Sequence, residues 1–233
     1  MDNENRPTAL IIGASRGLGL ALAGEYLQRG LRVVGTVRGA ARTELHGLAD
    51  GSAGQLDIEQ VDITHVGEIA RLRDRLATRR FDLLFINAGI SNGAQETLPA
   101  TQPDEFVRLM ITNAYGPMQA IEALQDLVSP TGVIGVMSSG LASVTDNAAG
   151  GWEVYRASKA ALNMLMRSYA ARTAAVPRPL LCMAPGWVRT DMGGANALLG
   201  IEESIPRVVD VILAQSGKPG LQFLNYKGET LRW

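Results

Sequence analysis

The hydrophobic residues of the chain form short, nearly continuous runs that alternate with longer stretches of helical periodicity. Short apolar runs bounded by turn residues predict strands, and the longer stretches between them predict helices. The predicted strands are 9–12, 32–37, 56–61, 82–86, 133–137, 180–183 and 222–224, and the predicted helices are 17–28, 42–49, 66–77, 104–127, 153–174 and 202–214. Strands of this kind that alternate with helices are typical of a parallel sheet covered on both faces. The pattern therefore predicts an α/β fold, a Rossmann-type doubly wound sheet of about seven strands in a single domain spanning residues 1–233.

Charge and composition narrow the class of protein. The chain has 233 residues, a formal net charge of −1 and 46% hydrophobic residues, and it has no run of Lys or Arg long enough for a nucleic-acid face. No apolar stretch reaches the roughly 18 residues of a membrane span, and the polar N-terminus does not have the apolar centre of a signal peptide. A single cysteine, Cys182, and two histidines predict neither an internal disulfide nor a metal cluster. We therefore expect a cytoplasmic protein that acts on a small molecule and binds no nucleic acid, membrane or metal.

A glycine-rich turn follows the first predicted strand and opens the first predicted helix. Its sequence is Gly13-Ala-Ser-Arg-Gly17-Leu-Gly19. Small residues let backbone N–H groups approach a pyrophosphate, and the N-terminus of a helix favours negative charge. The turn therefore predicts a dinucleotide site. Its predicted residues are Gly13, Ser15, Arg16, Gly17, Leu18 and Gly19.

The same turn also matches Gly-x-Ser-x-Gly, the nucleophile elbow of α/β-hydrolases, with Ser15 as the nucleophile. A hydrolase of that class needs an Asp and then a His further along the chain. The two histidines, His46 and His65, both precede half of the predicted sheet. A hydrolase is therefore kept only as the alternative reading of this turn.

The end of the second predicted strand indicates which dinucleotide is bound. Proteins that bind NAD place an Asp or Glu there to bond the ribose 2′-hydroxyl. Residues 35–39 contain no acid, and Arg38 is well placed for a 2′-phosphate, with Arg16 able to join it. Because a guanidinium suits a phosphate better than a ribose diol, we predict NADP(H).

Candidate catalytic chemistry lies at the start of the helix predicted over 153–174, where Tyr155 and Lys159 are four residues apart. This spacing places both side chains on one helix face, one turn apart. A nearby ammonium favours phenolate, so we expect Lys159 to lower the tyrosine pKa from its reference value of about 10. The pair could then donate and accept a proton near neutral pH. The helix is apolar over most of its circumference, which predicts either deep burial or contact with another subunit in a homodimer or homotetramer.

With these residues in place, the chain resembles the short-chain dehydrogenase/reductases, and within them the C-factor/sniffer-like carbonyl reductases. The resemblance spans nearly the whole chain. It is carried by Gly13-x-x-x-Gly17-x-Gly19, Asp62, Asn87-Ala88-Gly89, Asn113, Ser138-Ser139, Tyr155-x-x-x-Lys159, and Pro185-Gly186 with Thr190. The ordered set is specific, although each motif alone is weak.

The resemblance implies reduction of a ketone or aldehyde, or oxidation of the matching alcohol, with Tyr155 as proton donor or acceptor. Lys159 would assist Tyr155 and hold the nicotinamide ribose, and Ser139 would bond the carbonyl oxygen. The implied catalytic residues are Asn113, Ser139, Tyr155 and Lys159. Further implied cofactor residues are Asp62, Ile63, Asn87, Ala88, Gly89, Tyr155, Lys159, Pro185, Gly186, Val188 and Thr190.

Asn113 also has a physical basis of its own. Pro117 lies four residues later and has no N–H, so it cannot bond the Asn113 carbonyl. We expect a kink there and a free carbonyl that could hold a water beside Lys159. Such a water would give a proton route to solvent.

The substrate pocket is expected at the carboxyl ends of the strands, with walls from residues 90–94, 141–152 and 187–199. Trp152, Trp187, Met192 and Leu198 in these segments favour an apolar or aromatic carbonyl compound, although they could equally pack against one another. Two questions stay open at this stage. Either Ser138 or Ser139 could bond the substrate, with Ser139 preferred, and a nucleotide-binding regulatory or signalling protein with little turnover remains an alternative to an enzyme.

Overall fold

A seven-stranded, fully parallel sheet forms the centre of the protein. The computed structural model describes residues 6–93, 97–176 and 178–233. Along the sheet the strand order is β3-β2-β1-β4-β5-β6-β7. The strands are β1 Thr8–Ile12, β2 Arg32–Val37, β3 Leu56–Gln60, β4 Phe81–Ile86, β5 Val128–Met137, β6 Pro179–Ala184 and β7 Gly220–Asn225. The predicted α/β class and its doubly wound parallel sheet are confirmed.

Helices cover both faces of this sheet, as the nearly continuous apolar strands predict. The helices are α1 Gly17–Gln28, α2 Glu44–Asp50, α3 Val66–Arg75, α4 Pro103–Met110, α5 Gly116–Leu124, α6 Glu153–Arg172 and α7 Ile201–Leu213. Side chains from α3, α5 and α6 pack with one face of the strands, and those from α1, α2 and α7 pack with the other. Alternate residues of β1 divide between the two cores, with Leu10 and Ile12 in the first and Ala9 and Ile11 in the second.

The strand order reverses direction at β1, which lies between β2 and β4. Chain connections leave this point toward opposite edges of the sheet, so a crevice opens at the carboxyl ends of β1 and β4. The glycine-rich turn follows β1, and the loop that begins at Asn87 follows β4. The fold therefore brings these two predicted segments together.

One predicted helix differs from the structure around Asn113. The helix predicted over 104–127 is divided into α4, a wider π-helical turn at Ile111–Tyr115, α5, and a 3-10 turn at Gln125–Leu127. Pro117 stands just after the π-helical turn, in which the Gly116 N–H bonds the Ile111 carbonyl five residues earlier. Such turns are often found at functional sites.

Strand β5 also differs from its prediction. It begins five residues earlier than the predicted 133, because Val128 pairs with Phe81 across a shift in register.

Candidate active site

A cleft of about 1180 Å³ opens at the carboxyl edge of the sheet. It contains every predicted site residue except Gly19 and Asn113. Those lining the cleft are Gly13, Ser15, Arg16, Gly17, Leu18, Arg38, Asp62, Ile63, Asn87, Ala88, Gly89, Ser139, Tyr155, Lys159, Pro185, Gly186, Val188 and Thr190. Residues that are far apart in sequence thus line one continuous cleft. Its volume suits a ligand at least as large as a typical small-molecule cofactor.

Two positions in the turn after β1 require glycine, because neighbouring atoms leave no space for a Cβ atom and because the backbone at Gly13 has a positive φ angle. Gly13 has φ +88°, and a Cβ there would lie 2.8 Å from Ala88. Gly19 lies beneath the cleft floor, where a Cβ would stand 2.0 Å from the Gly13 carbonyl oxygen and 2.6 Å from the Asn87 amide. That amide donates to the Gly13 carbonyl at 2.7 Å, and the Gly13 N–H donates to Thr36 Oγ1 at 2.9 Å. Gly19 therefore supports the turn from below rather than facing a ligand.

Helix α1 begins at Gly17 with its first backbone N–H groups beside the cleft. Its N-cap, Arg16, makes no side-chain cap bond, and the first turn carries no acidic residue. The first N–H groups of a helix have no partner within the helix and carry a partial positive charge. This end of the cleft is therefore suited to an anionic group such as a pyrophosphate.

Charged side chains line the cleft beyond α1. Burial alone would raise the pKa of Asp62, but hydrogen bonds from the Thr64 hydroxyl and N–H, with the charges of His65 and Arg38, outweigh it and lower that pKa. The Thr64 bonds measure 2.7 and 2.9 Å. On the other side, Arg16 forms an ion pair with Asp191 across the mouth of the cleft, and both side chains are largely exposed. An exposed pair of this kind contributes little stability, so Arg16 is available to another anion.

Tyr155 and Lys159 lie one turn apart on α6 and face the cleft from its floor. Tyr155 is 9% exposed and Lys159 is 3% exposed. The Lys159 Nζ lies 5.9 Å from the centroid of the Tyr155 ring and donates a hydrogen bond to the Met137 carbonyl at 2.9 Å. The adjacency predicted from their spacing is therefore present.

The expectation that the tyrosine pKa is lowered is wrong. Burial raises the pKa of Tyr155 to about 12, and hydrogen bonding with Ser139 only partly offsets this rise. Burial likewise lowers the pKa of Lys159 to about 8, with nearby Cys182 opposing the change. Because the ammonium is directed at Met137 and is itself disfavoured by burial, desolvation of the phenol dominates. Tyr155 is therefore a neutral phenol throughout the physiological pH range.

The two serines after β5 point to different partners. Ser138 lines the cleft but is buried, and it donates to Asn163 Oδ1 at 2.7 Å. Ser139 accepts a hydrogen bond from the Leu141 N–H at 3.1 Å, and its hydrogen bonding lowers the pKa of Tyr155. The role of Ser139 as the serine that bonds the substrate stays a prediction.

Asn113 lies behind the cleft and is fully buried. Its Nδ2 donates to the Ile90 carbonyl at 2.8 Å and to Ser158 Oγ at 2.9 Å, and its Oδ1 accepts from the Ile90 N–H at 2.8 Å. The side chain thus ties the loop after β4 to α6 beside Lys159. The water at the Asn113 carbonyl stays a prediction.

Part of the cleft lining is apolar. Trp152, Ile90 and Leu141 pack against the buried cluster of Leu109, Val154 and Tyr155, and the Trp152 and Tyr155 ring centroids lie 5.7 Å apart in an edge-to-face arrangement. Trp187 and Met192 also line the cleft, whereas Leu198 is 77% exposed and does not. The predicted wall residue Ala94 lies outside the described residues.

Segment 186–199 is ordered by its own hydrogen bonds. Trp187 Nε1 donates to the Gly193 carbonyl at 2.8 Å, and the Gly193 N–H donates to Thr190 Oγ1 at 3.0 Å. Val188 pairs with Leu199 in an isolated parallel bridge. Val188 and Thr190 of this segment line the cleft.

Sequence reasoning missed several cleft residues. Asn225, Tyr226 and Leu231 reach the cleft from β7 and the segment after it, and Thr36 does so from β2. Thr36 could have been found, because it stands at the end of a strand beside the glycine-rich turn. The other three carry no signal in the sequence, since only the pairing of β7 with β6 brings them to this edge.

The hydrolase alternative finds no support at Ser15. Within residues 6–93, 97–176 and 178–233, neither histidine hydrogen-bonds this serine. His46 Nδ1 instead accepts from the Thr43 N–H at 3.0 Å, and His65 Nδ1 lies 3.2 Å from Thr64 Oγ1.

In the described part of the chain, no group of three or more His, Cys, Asp or Glu side chains is arranged to hold a metal ion. None of the described helices has the length and hydropathy needed to cross a bilayer.

Comparison with known proteins supports one family. A family model described as short chain dehydrogenase matches residues 7–197. A structure from Burkholderia multivorans with bound NADP, described as a short-chain dehydrogenase/reductase, is 53% identical, covers 98% of this chain and 100% of its own, and superimposes with a TM-score of 0.96. A carbonyl reductase from Pseudomonas aeruginosa PAO1 in complex with NADP is 36% identical, with 98% and 100% coverage and a TM-score of 0.90.

A curated relative is similar over a shorter stretch. C-signal from Myxococcus xanthus is 31% identical over 160 residues, which are 68% of this chain and 96% of that protein. The matched family model spans most of the chain and includes the glycine-rich turn, both serines and the Tyr155–Lys159 pair. The chain therefore belongs to the short-chain dehydrogenase/reductase family.

Proposed function

We propose that this protein is an NADPH-dependent carbonyl reductase, which reduces a ketone or aldehyde or oxidises the matching alcohol. The observation that carries this proposal is the buried phenol of Tyr155 with Lys159 and Ser139 in one cleft, which also receives the uncapped N-terminus of α1. Bound NADPH would supply the hydride to the carbonyl carbon. The chain would form one NADP-binding domain.

The residues present fit NADP(H) along the length of the cleft. The N–H groups at the start of α1 would bind the pyrophosphate, and Arg38 with Arg16 would bind the 2′-phosphate. Lys159 would bond the nicotinamide ribose. The adenosine side would be formed by Asp62, Ile63, Asn87, Ala88 and Gly89, and the nicotinamide amide would lie between Val188 and Thr190, beside Pro185 and Gly186. Solved relatives with bound NADP support this assignment.

The proposed proton donor is Tyr155. Its pKa of about 12 keeps the phenol protonated at neutral pH, so it can donate to the oxygen that gains charge during carbonyl reduction. Ser139 would donate a second hydrogen bond to that oxygen and orient the carbonyl. Lys159, whose ammonium form predominates below a pKa of about 8, would stabilise the phenolate that remains. Asn113 would hold the loop after β4 against α6.

The substrate class follows from the wall around Tyr155. Trp152, Ile90 and Leu141 line the cleft and pack against the cluster that contains Tyr155, and Trp187 and Met192 line the same cleft. Apolar walls with a few convergent polar groups favour an apolar substrate that is oriented by its one polar atom. An apolar or aromatic ketone or aldehyde meets both requirements.

Oxidation of NADPH over a panel of aromatic and aliphatic carbonyl compounds tests the proposal. We expect turnover with at least one compound, and we expect Tyr155→Phe to lose more than about 100-fold in kcat while retaining NADPH binding. Tyr115→Phe, an exposed tyrosine outside the cleft, is the matched control and should turn over normally. Undiminished turnover in Tyr155→Phe would rule out its role as proton donor.

Coenzyme choice is tested at Arg38. Loss of a charge-assisted contact with the 2′-phosphate corresponds to about 1.5–3 kcal/mol, or roughly 10- to 150-fold. We therefore expect Arg38→Ala to lower kcat/KM for NADPH by that factor while leaving NADH unchanged. Arg42→Ala is the control, because Arg42 is also exposed but pairs with Asp50. Equal efficiency of the wild-type enzyme with NADH and NADPH would contradict the assignment.

A nucleotide-binding signalling protein with little turnover is the second candidate. The similarity to a protein named C-signal favours it. The same carbonyl panel discriminates between the two, because a signalling protein would bind NADPH without oxidising it. A complete set of Tyr155, Lys159, Ser139 and Asn113 around one cleft favours the enzyme.

A further inference from the structure

Three side chains of α6 face the carboxyl end of β5 along one line. Tyr155, Lys159 and Asn163 are spaced by four residues, so they lie on one helix face over two turns. All three side chains are buried or nearly so. The proposed function uses the first two, and Asn163 has no role in it so far.

Two hydrogen bonds join the end of β5 and the residue after it to this helix face. Lys159 Nζ donates to the Met137 carbonyl at 2.9 Å, and Ser138 Oγ donates to Asn163 Oδ1 at 2.7 Å. The next residue, Ser139, lines the cleft together with Tyr155. A strand advances about 3.3 Å per residue and a helix about 1.5 Å. The two hydrogen bonds can form together only when the helix has one particular axial position and rotation on the strand.

The Ser138–Asn163 pair is unusual for the core that surrounds it. Ser138 is 2% exposed and Asn163 is 3% exposed. Leu162 and Met166, the neighbours of Asn163 on α6, belong to the apolar core. Asn163 Nδ2 has no hydrogen-bond partner within the described residues. An unpaired buried donor costs free energy, and an apolar pair of the same shape would avoid that cost. The pair is therefore poorly explained as a device for stability.

We propose that Ser138 and Asn163 are a positioning pair, which sets the register of α6 on β5 and thereby the distance between the Ser139 hydroxyl and the Tyr155 phenol. This inference rests on the proposed carbonyl reduction. Apolar contacts between a helix and a sheet tolerate small sliding movements, whereas a hydrogen bond fixes both distance and direction. A displacement of about 1 Å at a reacting group can cost roughly 100-fold in rate.

Three variants test the pair: Ser138→Ala, Asn163→Leu, and the two combined. We expect kcat to fall about 10- to 100-fold in each single variant, with no further loss in the double variant, because the two residues act as one unit. The KM for NADPH should stay within about twofold of wild type. The midpoint of thermal unfolding of the double variant should equal or exceed that of wild type.

Tyr169→Phe is the matched control on the same helix. Its hydroxyl donates to Gln125 Oε1 at 2.6 Å, outside the cleft. This variant should lower the unfolding midpoint and leave kcat unchanged. If the Ser138 and Asn163 variants lost activity only in proportion to stability, the pair would be structural and the inference would be overturned.

A readout without turnover completes the test. Crystal structures of wild type and of Asn163→Leu, both without coenzyme, should differ in the distance between Ser139 Oγ and Tyr155 Oη, with the longer distance in the variant. An unchanged distance, or full kcat in the double variant, would overturn the positioning role. Failure of the proposed function would be seen in other proteins: wild type would not oxidise NADPH with any carbonyl compound, or Tyr155→Phe would turn over normally. Neither result depends on the Ser138 and Asn163 variants.

Discussion

The buried ammonium of Lys159 should lower the stability of the protein in a way that depends on pH. Burial lowers its pKa from 10.5 to about 8, and each unit corresponds to 1.36 kcal/mol. The charged lysine therefore costs the folded state about 3 kcal/mol below pH 8. Between pH 8 and 10.5 the folded protein has released the proton while the unfolded chain still binds it, so raising the pH favours folding. Above about pH 10.5 both states are neutral and the cost vanishes.

Lys159→Met isolates this effect, because methionine fills similar space without a charge. The free energy of unfolding of wild type should rise by about 3 kcal/mol relative to the variant between pH 8 and 10.5. The variant also loses the hydrogen bond to the Met137 carbonyl, which lowers its free energy of unfolding by about 1 kcal/mol at every pH. This loss does not change how the difference between the two proteins depends on pH. At pH 7 the variant should therefore be more stable by about 2 kcal/mol, while having lost carbonyl reduction.

Urea unfolding at pH 7, 8, 9 and 10 measures the difference directly. Lys218→Met is the control, since Lys218 is an exposed lysine and its replacement should give curves that parallel wild type at every pH. The chain has only three lysines, so ¹³C labelling of lysine gives a direct NMR titration of Lys159. If the stability of wild type relative to Lys159→Met stayed constant or fell as the pH rose, the desolvation reasoning would be refuted.

Two matched pairs of substitutions are expected to differ in their effects on stability and on NADPH binding. Tyr26 is fully buried, and its hydroxyl has no partner in the described part of the chain, so Tyr26→Phe should raise the free energy of unfolding by about 1 kcal/mol, whereas Tyr169→Phe loses a bond and should lower it by a similar amount. Urea denaturation checks both, and a loss of stability in Tyr26→Phe would contradict the first. Gly19→Ala places a Cβ 2.0 Å from a carbonyl oxygen of the glycine-rich turn and should weaken NADPH binding more than 100-fold by calorimetry. Gly24→Ala on the same helix meets its nearest atom only at 3.9 Å, and its binding should match wild type.

The parts of the fold that could be predicted are those set by local pattern. Strand β1, the glycine-rich turn and the start of α1 form one continuous signal, because apolar runs and small residues each have a local physical requirement there. The first five residues of β5 could not be predicted, since Ser129, Pro130, Thr131 and Gly132 show no strand pattern. Only Val128 of these five pairs with β4, at Phe81, and the next four residues lie at the register shift before Val133, so this part of the strand depends on a tertiary contact.

The site shows the same division between spacing and environment. The i, i+4 spacing of Tyr155 and Lys159 is sufficient to place them together, and the structure does so. Their pKa values depend instead on burial and on the carbonyl to which Lys159 is directed, and neither can be read from spacing. Leu231 reaches the cleft for a similar reason, through contacts made only after β7 has joined the sheet.

Unfavourable features accumulate at the junction of β5 and α6. Lys159 is buried, Asn163 Nδ2 has no hydrogen-bond partner among the described residues, and Trp152 adopts a left-handed conformation with φ +53° directly before α6. Strain of that kind costs about 1–3 kcal/mol in a residue that is not glycine. Tyr26 shows that an unpaired buried polar atom is not by itself a sign of function, because it lies in the opposite core and does not line the cleft. Removing the Tyr26 hydroxyl should therefore increase stability without loss of activity, whereas at the β5–α6 junction the same gain in stability should cost turnover.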